Sequence, residues 1–114
     1  MNPANLFLGG SYILISFVLI GLSIPLLHRK IPMNQWYGVR IPQSLESEER
    51  WYAINEMGAR EMIYCGVVLL LMAAVIFLLP LSKEQPWIII LAAFFPLLPL
   101  FVMTVRILMK ARSF

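Results

Sequence analysis

MIYCGVVLLLMAAVIFLLPL, residues 62–81, carries no charged side chain over 20 positions. At about 1.5 Å rise per residue, a helix of that length is about 30 Å long, the thickness of a bilayer's hydrocarbon core. A helix on a soluble core shows one apolar stripe and one polar face, and this run has no such division. Two further runs read the same way. Upstream, LFLGGSYILISFVLIGLSIPLL at residues 6–27 is uncharged over 22 positions. Downstream, residues 87–108 are charged only at Arg106. Hydrophobic residues make up 61% of the 114, with a mean hydropathy of +0.82. Soluble domains average about 45–50%. A soluble fold of this length has too little interior to hide that much apolar surface. The expectation is an all-α integral membrane protein with three transmembrane helices, in a single membrane domain over residues 1–114.

The ends of the spans are marked by residue type. The first follows a short polar start with Pro3 and two Asn, and His28, Arg29 and Lys30 stop it. Gly9, Gly10, Ser11, Ser16, Gly21 and Ser23 admit close helix contacts, although no two form a strict GxxxG pair. Pro25 marks its last turn or a kink. Pro80 ends the second span, and residues 82–86 form a tight connection containing Lys83 and Glu84. Pro86 suits the first turn of the third helix, where a missing N–H is no loss. Pro96 and Pro99, in FFPLLPLF, should kink or locally unwind that helix. Such a break is tolerable where neighbours satisfy the freed carbonyls.

The net charge of +3 and pI of about 9.4 would suggest nucleic acid in a soluble protein. Here the nine Lys and Arg sit at span flanks, so they read as topology and headgroup contacts, with no nucleic-acid partner. Residues 28–61 carry Arg29, Lys30, Arg40, Arg50 and Arg60, and the tail carries Arg106, Lys110 and Arg112; the opposite side has only Lys83. The positive-inside rule then puts the loop at 28–61 and the C-terminus in the cytoplasm and the N-terminus outside. Trp87 falls at the outer interface. No basic residue precedes Arg29, so the first run reads as a span rather than a cleaved signal peptide. Cys65 has no partner for an intramolecular disulfide or a zinc cluster, and reads as a small packing residue. Neither a metal nor another cofactor is expected.

Between the first two spans lies KIPMNQWYGVRIPQSLESEERWYAIN, residues 30–55, with two of the three Trp and two of the four Tyr. Pro32, Gly38 and Pro42 make residues 30–43 a turn-rich strap, with Gly38 suited to a positive φ. A short helix is expected next, capped by Ser44 or Ser47, with Glu46, Glu48 and Glu49 in its first turn favouring the helix dipole. Glu46–Arg50 and Glu56–Arg60 are i,i+4 pairs in the favourable order. Trp51, Ile54, Met57, Gly58 and Met62 share a stripe, so this helix either lies on the membrane face or runs straight into the second span.

Asn34, Gly38, Arg40, Pro42, Ser44, Leu45, Ser47, Glu48 and Trp51 spell N-x-x-x-G-x-R-x-P-x-S-L-x-S-E-x-x-W. This resembles the signature loop of the Sdp immunity protein family, small bacterial membrane proteins named for a member that protects cells from a self-made killing peptide. With the flanking spans, the resemblance covers nearly the whole chain as the family's C-terminal module; the best-known member carries further spans before it. Ile41 stands where the family often has Thr, and Ser44 keeps a hydroxyl at the family's second such position. The resemblance implies a bacterial inner or plasma membrane protein giving resistance to a membrane-active toxin peptide. For that member it also implies signalling, through membrane sequestration of a soluble transcriptional regulator. It implies that the nine loop residues form the binding surface.

Each of these residues also has a structural reading. Arg40 either grips an anionic partner or anchors at headgroup level or pairs with Glu48. Asn34 suits hydrogen bonds to the strap's own backbone. Trp36, Tyr37, Trp51 and Tyr52 read by default as an interfacial aromatic belt, and His28 as a flank residue. Ser44, Ser47 and Glu48 are the only candidates for lipid chemistry, and no neighbour in sequence activates them, so the chain is not expected to be an enzyme. The alternative function is a small oligomeric transporter or channel, or a hydrophobic-ligand protein using the Pro96–Pro99 kink. Against proton-coupled transport, the chain has no Asp and its Glu residues read as loop residues, so no membrane-buried acid is expected. Homo-oligomerisation is compatible with three spans, but no motif demonstrates it.

Overall fold

The computed structural model describes residues 2–81 and 84–114. Among them every regular element is helical: α1 (Pro3–Leu27), α2 (Glu48–Leu78), α3 (Pro86–Phe94) and α4 (Leu97–Ala111). Three helical stretches are long and apolar enough to cross a membrane, the third being α3 and α4 taken together as Pro86–Ala111. Of the connection expected at 82–86, Ser82 and Lys83 lie outside the described residues.

α1 and α2 pair along most of their length. On α1 the buried residues are Asn5, Leu8, Gly9, Tyr12, Ser16, Ser23 and Leu26, a stripe recurring every three to four positions. Only some of the small residues are used. A Cβ on Gly9 would lie 2.5 Å from the Phe77 ring, and one on Gly66 of α2 would lie 2.6 Å from Ile20, so both glycines permit close approach. Gly10 and Gly21 face open space. Ser16 Oγ donates to the Gly66 carbonyl at 2.6 Å, a polar stitch inside an apolar contact.

Both ends of this pair are closed by hydrogen bonds, from side chains at one and from the backbone at the other. Asn2 caps α1, its Oδ1 accepting from the Ala4 amide at 2.7 Å. Asn5 Nδ2 donates to the Ile76 and Leu79 carbonyls at 2.6 and 2.7 Å, adding a side-chain donor to the loosely bonded acceptors at the C-terminus of α2. At the other end α1 runs through Pro25 to Leu27. There Lys30 N–H bonds the Pro25 carbonyl and Arg29 N–H the Leu26 carbonyl, with Arg29 left-handed at φ 57°. This is a Schellman closure with arginine where glycine is usual.

The third span breaks where the prolines predict. Pro96 cannot donate to the Ala92 carbonyl four residues back, and that carbonyl accepts from the Tyr12 hydroxyl of α1 instead. Pro99 likewise leaves the Phe95 carbonyl, which Leu98 N–H takes at 3.2 Å. α3 rests on Tyr12, Leu8 and Ile76 through Ala92, while α4 meets α2 through Ile107 and Ala111.

Of the two alternatives for the helix expected after the strap, the structure has the second. Among the described residues it is not a separate element, and the segment from Glu48 is the first four turns of α2, which runs unbroken into the second span. With 31 residues α2 is about 46 Å long, well beyond a hydrocarbon core of about 30 Å. One expectation is corrected: the carboxylates are not confined to loops. Glu61 lies on α2 and is 3% exposed. There α4 brings two cations to it, Arg106 and Lys110.

Candidate functional site

The strap over residues 30–47 is built from local turns and then fastened to α2. Asn34 organises the first turn with four hydrogen bonds to backbone: its Oδ1 accepts from the Trp36 and Tyr37 amides at 2.8 and 2.6 Å, and its Nδ2 donates to the Pro32 and Tyr37 carbonyls at 2.8 and 3.0 Å. The turn pushes Trp36 outward, 90% exposed, and directs the Tyr37 hydroxyl to the Leu22 carbonyl of α1. Burial of that phenol raises its pKa above the ordinary value.

Gly38 follows at φ 120°, where a Cβ would meet Asn55 Oδ1 at 2.6 Å and the Trp51 ring at 3.0 Å. Both conformation and space demand glycine. Val39 and Ile41 then turn inward onto Ile54, Met57, Ile107 and Ala111, while Arg40 between them points out. Gly58 makes room for this wedge, since a Cβ there would lie 2.6 Å from Val39. Ile41 occupies a packing position, which suits its aliphatic side chain. Ser44, fully buried, ties off the wedge: its Oγ donates to the Val39 and Ile41 carbonyls at 2.6 and 3.0 Å and lies 3.1 Å from the Ile41 amide.

Two side chains of α2 clamp the strap. Trp51 is 0% exposed and its Nε1–H donates to the Ile31 carbonyl at 2.8 Å. Asn55 accepts the Val39 amide at 2.6 Å and donates to the Trp51 carbonyl at 2.9 Å. Outside the clamp, Arg29 grips Glu56 through Nε at 3.0 Å and Nη2 at 2.8 Å, and Arg60 adds a second contact at 3.1 Å. The Arg29 guanidinium holds the Glu56 carboxyl below the usual carboxylate range. The same fork fixes the left-handed backbone of Arg29, a conformation that costs on the order of 1 kcal/mol.

The nine signature residues thus separate by position. Asn34, Gly38, Ser44 and Trp51 form the internal bracing. Ser47 caps α2, its Oγ accepting from the Arg50 amide at 3.1 Å, and Ser44 takes no part in capping. Pro42 and Leu45 lie on the exposed turn, and Glu48 is exposed in the first turn of α2. The pairs Glu46–Arg50 and Glu56–Arg60 form. Of the alternatives for Arg40, the pair with Glu48 does not form: among the described residues Arg40 is exposed and has no carboxylate partner. Trp51 is likewise no belt residue, because the strap buries it completely.

Glu61 escaped the sequence reading. Its carboxylate meets Arg106 Nε at 2.7 Å and Nη2 at 3.2 Å, and also Lys110. The signal was present in two halves: Glu61 continues the stripe of Trp51, Ile54 and Gly58, and Arg106 and Lys110 are spaced i,i+4 on the last span. Above this triad a groove of about 500 Å³ runs between α2 and the broken third span, past Cys65, Val68, Met72, Phe95 and Val102. The Pro96–Pro99 break therefore does leave a cavity beside it.

No curated protein and no solved structure matches the chain. The profile of the SdpI/YfhL protein family matches residues 30–106, about two thirds of the chain. The match opens on the first residue of the strap and closes on the arginine that pairs with Glu61. It leaves α1 outside, so it is narrower than the near-complete coverage expected from the sequence. Strap, clamp and the Glu61–Arg106 pair fall within the matched segment, with Lys110 just beyond it, and the chain belongs to the SdpI/YfhL protein family.

Proposed function

We propose that this membrane protein is a non-enzymatic immunity factor that protects its host bacterial membrane against a membrane-active toxin peptide. The strap is its recognition surface, and Arg40 is the residue that engages an anionic group on the partner. Family membership supports the immunity reading. The observation that carries the assignment to Arg40 is the contrast within the strap. Four signature residues are consumed by internal hydrogen bonds or packing, whereas Arg40 is held outward between two half-buried neighbours, Val39 and Ile41, with no carboxylate on it. The backbone that carries Arg40 is anchored by those neighbours, so binding has only the side chain left to order.

The charge distribution supports a cytoplasmic strap and C-terminus with the N-terminus outside. In that orientation the strap faces soluble proteins and is suited to docking a regulator. Arg40→Ala and Arg40→Lys, expressed to equal levels in membranes, are the test. Arg40→Ala should abolish protection and the capture of a crosslinked partner while melting within about 0.5 kcal/mol of the parent, as surface substitutions do. Arg40→Lys should retain part of both. Full protection by Arg40→Ala would remove the strap from the function.

A further inference from the structure

We infer that the groove between α2 and the broken third span is a binding site for one acyl chain of an acidic phospholipid, whose phosphate is held at Arg106 and Lys110. The proposal is independent of Arg40 and of toxin recognition. It rests on three observations about the groove itself.

The first is its length and direction. It runs from Glu61 and Tyr64 at one end to Met72 and Phe95 at the other. Eleven residues along α2 at about 1.5 Å each make about 16 Å, half of a hydrocarbon core of about 30 Å. The groove therefore extends over one leaflet, and at Met72 and Phe95, beside the proline break, a second apolar groove takes over toward Val75 and Leu91. A lipid of that leaflet lies parallel to it.

The second is that the walls and the end differ in chemistry. The walls are hydrocarbon and sulfur: Cys65, Val68, Met72, Leu98 and Val102. Every polar side chain of the groove is gathered at the end nearest the strap, where Glu61, Tyr64 and Arg106 stand. That end lies a little over one turn of α2 beyond Ile54 and Met57, which the strap covers, and so at the level where phosphates of the same leaflet sit.

The third is charge complementarity. Glu61 is buried and its oxygens are taken by Arg106 and Lys110, which are themselves 51% and 46% exposed. One carboxylate against two cations leaves one positive charge over. Arg106 uses Nε and Nη2 on Glu61, so its Nη1 edge remains for an outside acceptor, and Lys110 spends one of three donors. Glu61 thus holds both cations in place at the mouth without neutralising them, which suits a group with net negative charge more than a zwitterion.

The test uses the full chain in nanodiscs of equimolar phosphatidylglycerol and phosphatidylcholine, followed by native mass spectrometry of the lipids retained on release. The parent should hold one phosphatidylglycerol in preference to phosphatidylcholine by about fivefold, the enrichment expected for about one basic residue near a membrane surface. Val102→Phe fills the groove and leaves the triad intact, and it should remove the retained lipid. Lys110→Gln keeps the Glu61–Arg106 fork but removes the surplus charge, and it should equalise the two lipids. Equal retention of both lipids by the parent, or retention unaffected by Val102→Phe, overturns the proposal. So does a dimer that Val102→Phe dissociates without changing lipid retention, since a second copy would then be what covers the groove.

Discussion

The α1–α2 pair and the α3–α4 span are equally apolar, yet they are assembled on different principles. The first pair is stitched: Asn5, Ser16, Trp51 and Asn55 each place a polar side chain on the backbone of another segment. The third span has two polar fastenings besides its packing at Ala92, Ile107 and Ala111, the Tyr12 hydroxyl near its middle and the Glu61 carboxylate near its end, with open grooves beside it. In lipid there is no hydrophobic drive to bring helices together, so packing and polar contacts decide which contacts are tight. The comparison teaches that this chain spends its polar side chains on holding the strap and α1 to α2, and leaves the third span adjustable.

That contrast can be broken from either side. Trp51→Ala should have the largest effect, about 3–5 kcal/mol, because it empties the fully buried position beneath the strap and leaves the Ile31 carbonyl without its donor. Limited proteolysis should then cut within residues 30–47 while α1 and α2 stay paired. Because that variant unfastens the whole strap, its loss of function would say nothing about recognition, which only Arg40 substitutions address. Glu61→Ala should cost about 1–3 kcal/mol, below the cost of breaking a fully buried pair because both cations can reach outward. The readout is crosslinking between cysteines placed on α2 and α4, which should weaken while α1–α2 crosslinking persists.

Tyr12→Phe should cost about 1 kcal/mol, the scale of a single hydrogen bond between helices in lipid. It leaves the Ala92 carbonyl unsatisfied and should increase the motion of α3, measured by spin labels on either side of Pro96. The smallest effect is a pH dependence at the strap's edge. A carboxyl whose folded pKa is depressed adds stability above its unfolded pKa and loses it as pH falls through the folded value. Glu56 is such a group, so Arg29→Gln should be less stable than the parent at neutral pH, and the two should converge in acid. Melting followed across that range checks it; a difference that grows on acidification would contradict the assignment.

Much of this was legible along the chain. Span number follows from the lengths of uncharged runs, and the break at Pro96 from a residue that lacks an amide hydrogen. The functions of Asn34, Gly38 and Ser47 are local too, since each acts on backbone within a few positions. What could not be read depends on register between distant segments. Nothing near Trp51 shows that Ile31 will lie over it, and nothing near Asn55 shows that Val39 will. Glu61 looked like the last residue of a loop because an isolated carboxylate so close to a span is unfavourable, and its partners lie 45 and 49 positions away. The candidate site was found as a stretch of sequence, but the division of its residues into brace and surface required the fold.

The hydrogen bond between Tyr12 and Ala92 also has a consequence for the order of assembly. Synthesis delivers α1 before the proline-broken span, so the donor is already embedded when the carbonyl that Pro96 has orphaned arrives. The earlier helix acts as a template for the later one, and a segment that would be costly to insert alone enters against a partner prepared to receive it.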